Sequence, residues 1–181
     1  MKNLVDKLTL DIINIICNKK GSKPSQNNIH YLKTINYILK NGSDWNTYEG
    51  ILDGSTYKKK FYYWTKCHIF ELAYKYIICI LEKLDILNYD EIKHLFMDST
   101  NIRNLYGIDS IGRCYADKNK NATKINVIVS KNGIPLSITI HPGNVSDAKL
   151  LETTLENINI KIIGSRKKPI YLGADQFLLF E

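Results

Sequence analysis

The stretch His94-Leu95-Phe96-Met97-Asp98-Ser99-Thr100 decides how the chain is read. Three large apolar residues follow a histidine and run into an acid and two hydroxyls. That pattern reads as a short buried strand ending at Asp98. In open α/β sheets the carboxyl ends of strands are where ligands and reactive groups gather. Ile170-Tyr171-Leu172-Gly173-Ala174-Asp175 is a second apolar run stopping at an aspartate. If the two strands are neighbours, Asp98 and Asp175 form a pocket for a divalent metal. Either acid alone reads more simply as the start of a turn or a helix cap.

Between these runs, Asn101 to Thr123 reads as a loop carrying Gly107, Gly112, Arg113, Lys118 and Lys120. Period-two alternation follows. Ile125, Val127 and Val129 share one strand face, and Ile134, Leu136, Ile138 and Ile140 share another. Asn132-Gly133 between them predicts a hairpin with a type I′ turn, whose two central residues both take positive φ. Ser146 or Asp147 then caps a helix with Ala148, Leu151, Leu155 and Ile158 inward. The order strand, loop, hairpin, helix, strand has one economical solution. The hairpin lies beside the first strand, and the last strand lies on its other side, reached by a crossover helix. Asp98 and Asp175 then stand at adjacent tips of a truncated ribonuclease-H-like sheet.

Upstream of residue 90 the periodicity is helical. Leu4, Leu8, Ile12 and Ile15 mark a first amphipathic helix, and Ile29, Leu32, Ile35, Ile38 and Leu39 a second that stops at Asn41-Gly42. Ser43 and Asp44 cap a short third helix at Trp45. Ser55 caps the next, in which Phe61 and Trp64 face a core and Lys58, Lys59, Lys60, Tyr63 and Lys66 supply basic and aromatic contacts. Lysines interleaved with aromatics suit phosphate neutralisation, and equally a solvated face. Helix, tight turn, helix and basic helix have a helix-turn-helix outline. A long apolar helix from Ile69 to Leu84, with Phe70, Ala73, Ile77, Ile80, Leu81 and Leu84 inward, leads to the second half.

The totals agree with such a protein. The 181 residues suit one domain with a small helical partner. A net charge of +7 and a pI of about 9.1 favour a polyanion, although an AT-rich genome also enriches Lys, Asn, Ile and Tyr. Cys17, Cys67, Cys79 and Cys114 form no Cys-x-x-Cys pair and read as reduced thiols. No apolar run is as long as a membrane span, and the first residues do not resemble a signal peptide. No Gly-rich phosphate loop supports a small-molecule α/β enzyme.

Together these pieces resemble the DDE transposases of bacterial insertion sequences, in particular the insertion sequence 5 group. Asn41-Gly42-Ser43-Asp44-Trp45 is similar to the Gly-x-x-Trp turn of the family's helical domain, and Tyr57 to Trp64 to the helix after it. Asp98-Ser99-Thr100 resembles the first catalytic strand end. Gly112-Arg113, Lys124-Ile125, Gly133-x-Pro135, Pro142-Gly143-Asn144 and Asp147 follow in the family's order, and Ala174-Asp175 resembles the second catalytic aspartate. Gln176 fits the pattern after that aspartate, whereas Phe177-Leu178-Leu179-Phe180-Glu181 does not.

The resemblance implies an α+β protein. Residues 1–90 would form a helical DNA-binding domain and residues 91–181 a partial ribonuclease-H-like catalytic domain. Asp98 and Asp175 would hold Mg²⁺ or Mn²⁺. Lys58, Lys59, Lys60, Tyr63, Lys66, Arg113, Lys118, Lys120 and Lys124 would contact double-stranded DNA at the transposon ends. The location implied is cytoplasmic and nucleoid-associated, with a homo-oligomer as a further partner. The family's third acid, a glutamate in a Tyr-Arg-Glu-Lys pattern, has no counterpart here, and Glu181 lies too close to Asp175 to replace it. The expectation is therefore a shortened transposase with little activity alone; the alternative is a DNA-binding remnant that regulates full-length relatives. Leu172, Phe177, Leu178 and Phe180 are expected to be exposed and to favour association.

Overall fold

A computed structural model describes residues 2–19, 27–104, 107–158 and 169–174. Helices and one mixed sheet divide into two compact units, Met1–Ile77 and Ile78–Glu181.

The first unit holds α1 (Lys2–Lys19), α2 (Asn28–Asn41), α3 (Gly54–Lys66) and the start of α4 (Ile69–Lys83). Leu32, Ile35 and Ile38 recur every three residues and give α2 one buried face, which packs with Ile13, Tyr57, Trp64 and Ile69. On α1 the buried residues are Leu8, Thr9 and Ile13, while Ile15 is exposed. The expected stripe is thus rotated by about one residue. Gly42 closes α2 in the left-handed conformation at φ 63° and donates its N–H to the Ile38 carbonyl.

The next two caps differ from expectation. Asp44 does not open a helix at Trp45. Its carboxylate accepts the Asn46 N–H at 2.8 Å, so the chain turns, and the Trp45 ring stacks on Phe61 at 5.6 Å. The cap of α3 is Asp53, which accepts the Ser55 N–H at 2.6 Å; Ser55 itself lies inside the helix. Tyr57 and Trp64, two turns apart, are the buried anchors of α3, and Phe61 between them is half-buried. Tyr57 also shares a 2.7 Å hydrogen bond with His30 Nε2.

In the second unit the chain leaves α4 through Asp85, two residues past its end, which takes φ 55°. The Ile86 N–H donates to Leu81 and the Asp85 N–H to Glu82, the two bonds of a Schellman stop. After α5 (Tyr89–Ile92) come β1 (His94–Arg103), β2 (Gly112–Cys114), a 3₁₀ turn (Tyr115–Asp117), β3 (Lys120–Val129), β4 (Pro135–Pro142), α6 (Asp147–Glu156) and β5 (Tyr171–Ala174). The sheet runs β2-β3-β1-β5, with β4 also paired to β3. β3 is antiparallel to β1, β2 and β4, and β5 is parallel to β1.

The strand read as ending at Asp98 continues five residues further. Ser99 to Arg103 pair with Asn126 to Ala122, a ladder that needs no apolar side chains. Most of the expected loop from Asn101 to Thr123 is accordingly regular structure. The hairpin turn also differs from the expected I′ form. Ser130 N–H donates to Ile134 and Gly133 N–H to Ser130, leaving a three-residue loop in which Gly133, but not Asn132, takes positive φ. The buried Glu91 carboxylate holds this turn, accepting Ser130 Oγ at 2.5 Å and Asn132 N–H at 2.8 Å.

A register shift between Ile128 and Val129 leaves Leu136 unopposed on β4. Leu136 is therefore buried, whereas Ile138 and Ile140 are exposed, although simple alternation puts all three on one face. α6 packs on β3 and β4 and buries Leu150 and Thr154; Ala148 and Leu155, expected inward, are exposed. Leu172 is half-buried. Phe177, Leu178 and Phe180 lie outside the described residues.

Candidate active site

The pleat of β1 sends successive side chains to opposite sides of the sheet. Leu95, Met97 and Ser99 face α6's side, and Phe96 and Asp98 face the other, more exposed side. Asp98 lies opposite Val127 of β3. Its Oδ1 accepts the N–H of Ser99 at 2.8 Å. Among the described residues no lysine, arginine or histidine forms an ion pair with it.

On its other flank β1 pairs in parallel with β5, and the register reads His94↔Tyr171, Leu95↔Leu172, Phe96↔Gly173, Met97↔Ala174. The His94 and Tyr171 rings stack at 5.4 Å, and a Cβ on Gly173 would press on Phe96. The residue after Met97 is Asp98, and the residue after Ala174 is Asp175, which lies outside the described residues.

The side behind Asp98 is polar and closed. Ser99 Oγ donates to Asp147 Oδ1 at 2.7 Å, and Lys124 Nζ donates to the same oxygen at 2.9 Å. The Lys124 side chain is 9% exposed and that of Asp147 43%. Burial raises the Asp147 pKa, but the hydrogen bonds from Lys124 and Ser99 and the lysine charge outweigh it, and the net shift is downward. Deeper under α6, Asn126 Nδ2 donates to Thr154 Oγ1 at 2.8 Å, and Thr139 and Thr154 share a bond of 3.0 Å.

The expected DNA contacts fall into separate groups. Arg113, Lys118 and Lys120 are exposed around the 3₁₀ turn, which Arg103 braces by a double hydrogen bond to Asp117 at 2.7 and 3.1 Å. Lys124 departs from expectation: its ammonium is buried and taken up by Asp147. On α3, Lys59, Tyr63 and Lys66 are exposed and Lys58 and Lys60 are half-buried. The Lys60 ammonium sits 5.4 Å from the Tyr31 ring centroid, 5.6 Å from Trp64 and 6.0 Å from Tyr63, within cation–π range.

Several residues that resembled family motifs hold the loops around this sheet. A Cβ at Gly112 would run into the Asn144 side chain, so the loop after β4 can close on β2 only over a glycine. Gly143 N–H donates to the Ala122 carbonyl at 3.0 Å.

Residues 89–176 match the family model of the transposase DDE domain. The match begins in α5, takes in every strand of the sheet and supports a DDE-type transposase. α1 to α4 lie outside it. No curated protein and no solved structure matches the chain.

The chemistry of Asp98 suits a divalent metal: an exposed carboxylate with no competing cation among the described residues presents hard oxygen ligands. One carboxylate is not a complete site, and no group of three or more His, Cys, Asp or Glu gathers among the described residues. No helix among them is long and apolar enough to cross a membrane.

Proposed function

We propose that the chain is a DDE-type transposase of the insertion sequence 5 group, acting on double-stranded DNA at transposon ends. The observation that carries this reading is the family match over residues 89–176, spread across a sheet in which Met97 pairs with Ala174. That register supports a shared site, because in the sequence an aspartate follows both Met97 and Ala174. The strand order, with β5 parallel to β1, supports a ribonuclease-H-like catalytic domain over residues 91–181.

Asp98 and Asp175 are the proposed metal-holding acids. A bound Mg²⁺ or Mn²⁺ would activate a water or 3′-hydroxyl and stabilise the leaving oxygen. Residues 1–90 are the proposed DNA-binding domain, of helix-turn-helix type, with Lys58, Lys59, Tyr63 and Lys66 of α3 toward the backbone and Lys60 braced by its aromatic neighbours. Arg113, Lys118 and Lys120 extend the basic surface in the second unit. Each phosphate neutralised steepens the salt dependence of binding. A polypeptide of these 181 residues supplies two of the family's three acids, and we propose that it cleaves weakly unless a third carboxylate is provided.

The test is nicking of supercoiled plasmid with Mg²⁺ or Mn²⁺, beside a salt-dependent gel shift. Metal-dependent nicking that Asp98→Ala abolishes, with binding retained, is the expected result. Binding without cleavage under every metal and protein concentration would leave a DNA-binding regulator. Nicking that survives Asp98→Ala would remove the proposed site.

A further inference from the structure

We propose that Ser99, Asp147 and Lys124 form a positioning cluster that aims the Asp98 carboxylate from the opposite side of the sheet. The inference rests on the reading of Asp98 as a metal-holding acid.

Ser99 is bonded on both sides of the strand. Its N–H donates to Asp98 Oδ1 at 2.8 Å, and its hydroxyl donates to Asp147 Oδ1 at 2.7 Å. Lys124 reaches that same oxygen at 2.9 Å from the neighbouring strand. Ser99 pairs with Asn126 and Lys124 with Asn101, so the two side chains are diagonal neighbours on one face. A buried ammonium needs its counter-charge, and Asp147 supplies it. The lysine therefore fixes where the carboxylate sits, and the carboxylate fixes the serine hydroxyl. The hydroxyl fixes the backbone N–H that holds Asp98.

The cluster is separable from the general attachment of α6. Thr154 secures that helix two turns further along through Asn126 and Thr139. Asn126 is the backbone partner of Ser99 across the ladder, but its side-chain bond goes to Thr154 and not to the Ser99 hydroxyl. Groups that orient a metal ligand without touching the metal are costly to remove in affinity.

Mn²⁺ binding, followed by electron paramagnetic resonance on the full chain with circular dichroism as the check on folding, tests the assignment. Ser99→Ala is expected to lower Mn²⁺ affinity about tenfold, Ser99→Thr to restore it, and Asp147→Asn to lower it as well. Thr154→Val loosens α6 and is expected to leave affinity unchanged. Full affinity in both Ser99→Ala and Asp147→Asn overturns the cluster, as does an equal loss in Thr154→Val. Asp98→Ala keeps the two readings apart. If it abolishes binding while Ser99→Ala and Asp147→Asn bind Mn²⁺ as tightly as the parent, the cluster alone falls; if Asp98→Ala binds Mn²⁺ as well as the parent, the metal reading falls and the cluster with it.

Discussion

The two faces of the second unit's sheet both depart from simple patterning, in opposite ways. The face under α6 is covered and buries Leu95, Met97, Ile128 and Leu136, yet it also carries Lys124, Asn126 and Thr139. The other face is open, yet it carries Phe96, Ile138, Ile140 and Tyr171, with Phe96 49% and Ile140 59% exposed. Ordinary two-layer packing buries the apolar side and wets the polar one. Here the covered side is held by specific partners: one buried lysine has its acid, and the amide and hydroxyls bond to one another. The open side holds Asp98 among apolar neighbours, where no described cation competes for it. On the covered face apolar side chains and partnered polar ones are buried side by side, so polarity alone does not decide which residues of this sheet are enclosed.

Asp147→Ala should have the largest effect on this contrast. It strands Lys124 without its counter-charge and is expected to cost about 2–3 kcal/mol, less than the 3–5 of a fully enclosed pair because Asp147 is half in water. Urea unfolding measures it, and a loss below about 0.5 kcal/mol would mean the lysine escapes to solvent. Thr154→Val should cost about 1–3 kcal/mol by leaving Asn126 and Thr139 short of a partner. Replacing all three together, Asn126→Leu with Thr139→Val and Thr154→Val, should recover most of that loss, since removing every polar partner at once is nearly neutral.

The contribution of Asp147 should also vary with pH. Its folded pKa lies below the ordinary 3.8, so the stabilisation is complete above about pH 5 and disappears as pH falls through the folded value. The stability gap between the parent and Asp147→Asn should therefore be flat from pH 5 to 7 and narrow below pH 4. A gap that instead widens on acidification would contradict the assignment. Ile140→Ser on the open face should have the smallest effect, within about 0.5–1 kcal/mol. A penalty above 2 kcal/mol would show that something covers this face in solution.

The contrast also explains what the sequence revealed and what it hid. His94 to Asp98 was legible as a strand because its apolar run is continuous. Ser99 to Arg103 was not, because backbone pairing with β3 leaves no hydrophobic trace. The crossover order and the parallel final strand followed from connection rules alone, and the described sheet has that order. Leu136 reads on one face with Ile138 and Ile140, but one extra residue in β4 inverts the alternation, and a bulge has no reliable signature in a single sequence.

Lys124 reads as a surface lysine in the sequence because charge predicts exposure. Its partner Asp147 lies 23 residues away and looked like a helix cap. Ser55 reads as a cap where Asp53 takes that place, and Asp44 reads as a cap where it holds a turn, since Asp, Ser and Asn suit both roles. Asp175, the second acid of the proposed metal site, falls outside the described residues. For that residue the register ending at Met97↔Ala174 is the nearest structural support.

The alternation of β1 makes parity decisive in this protein. Asp98 belongs with the even-numbered residues of the strand and Ser99 with the odd. Inserting or deleting a single residue ahead of them would drive the acid under α6 and turn the serine outward. A change of two would keep each on its own side and merely slide both along. Length variation among functional descendants of this chain should therefore come in pairs here, while the turns on either side are free to change by one.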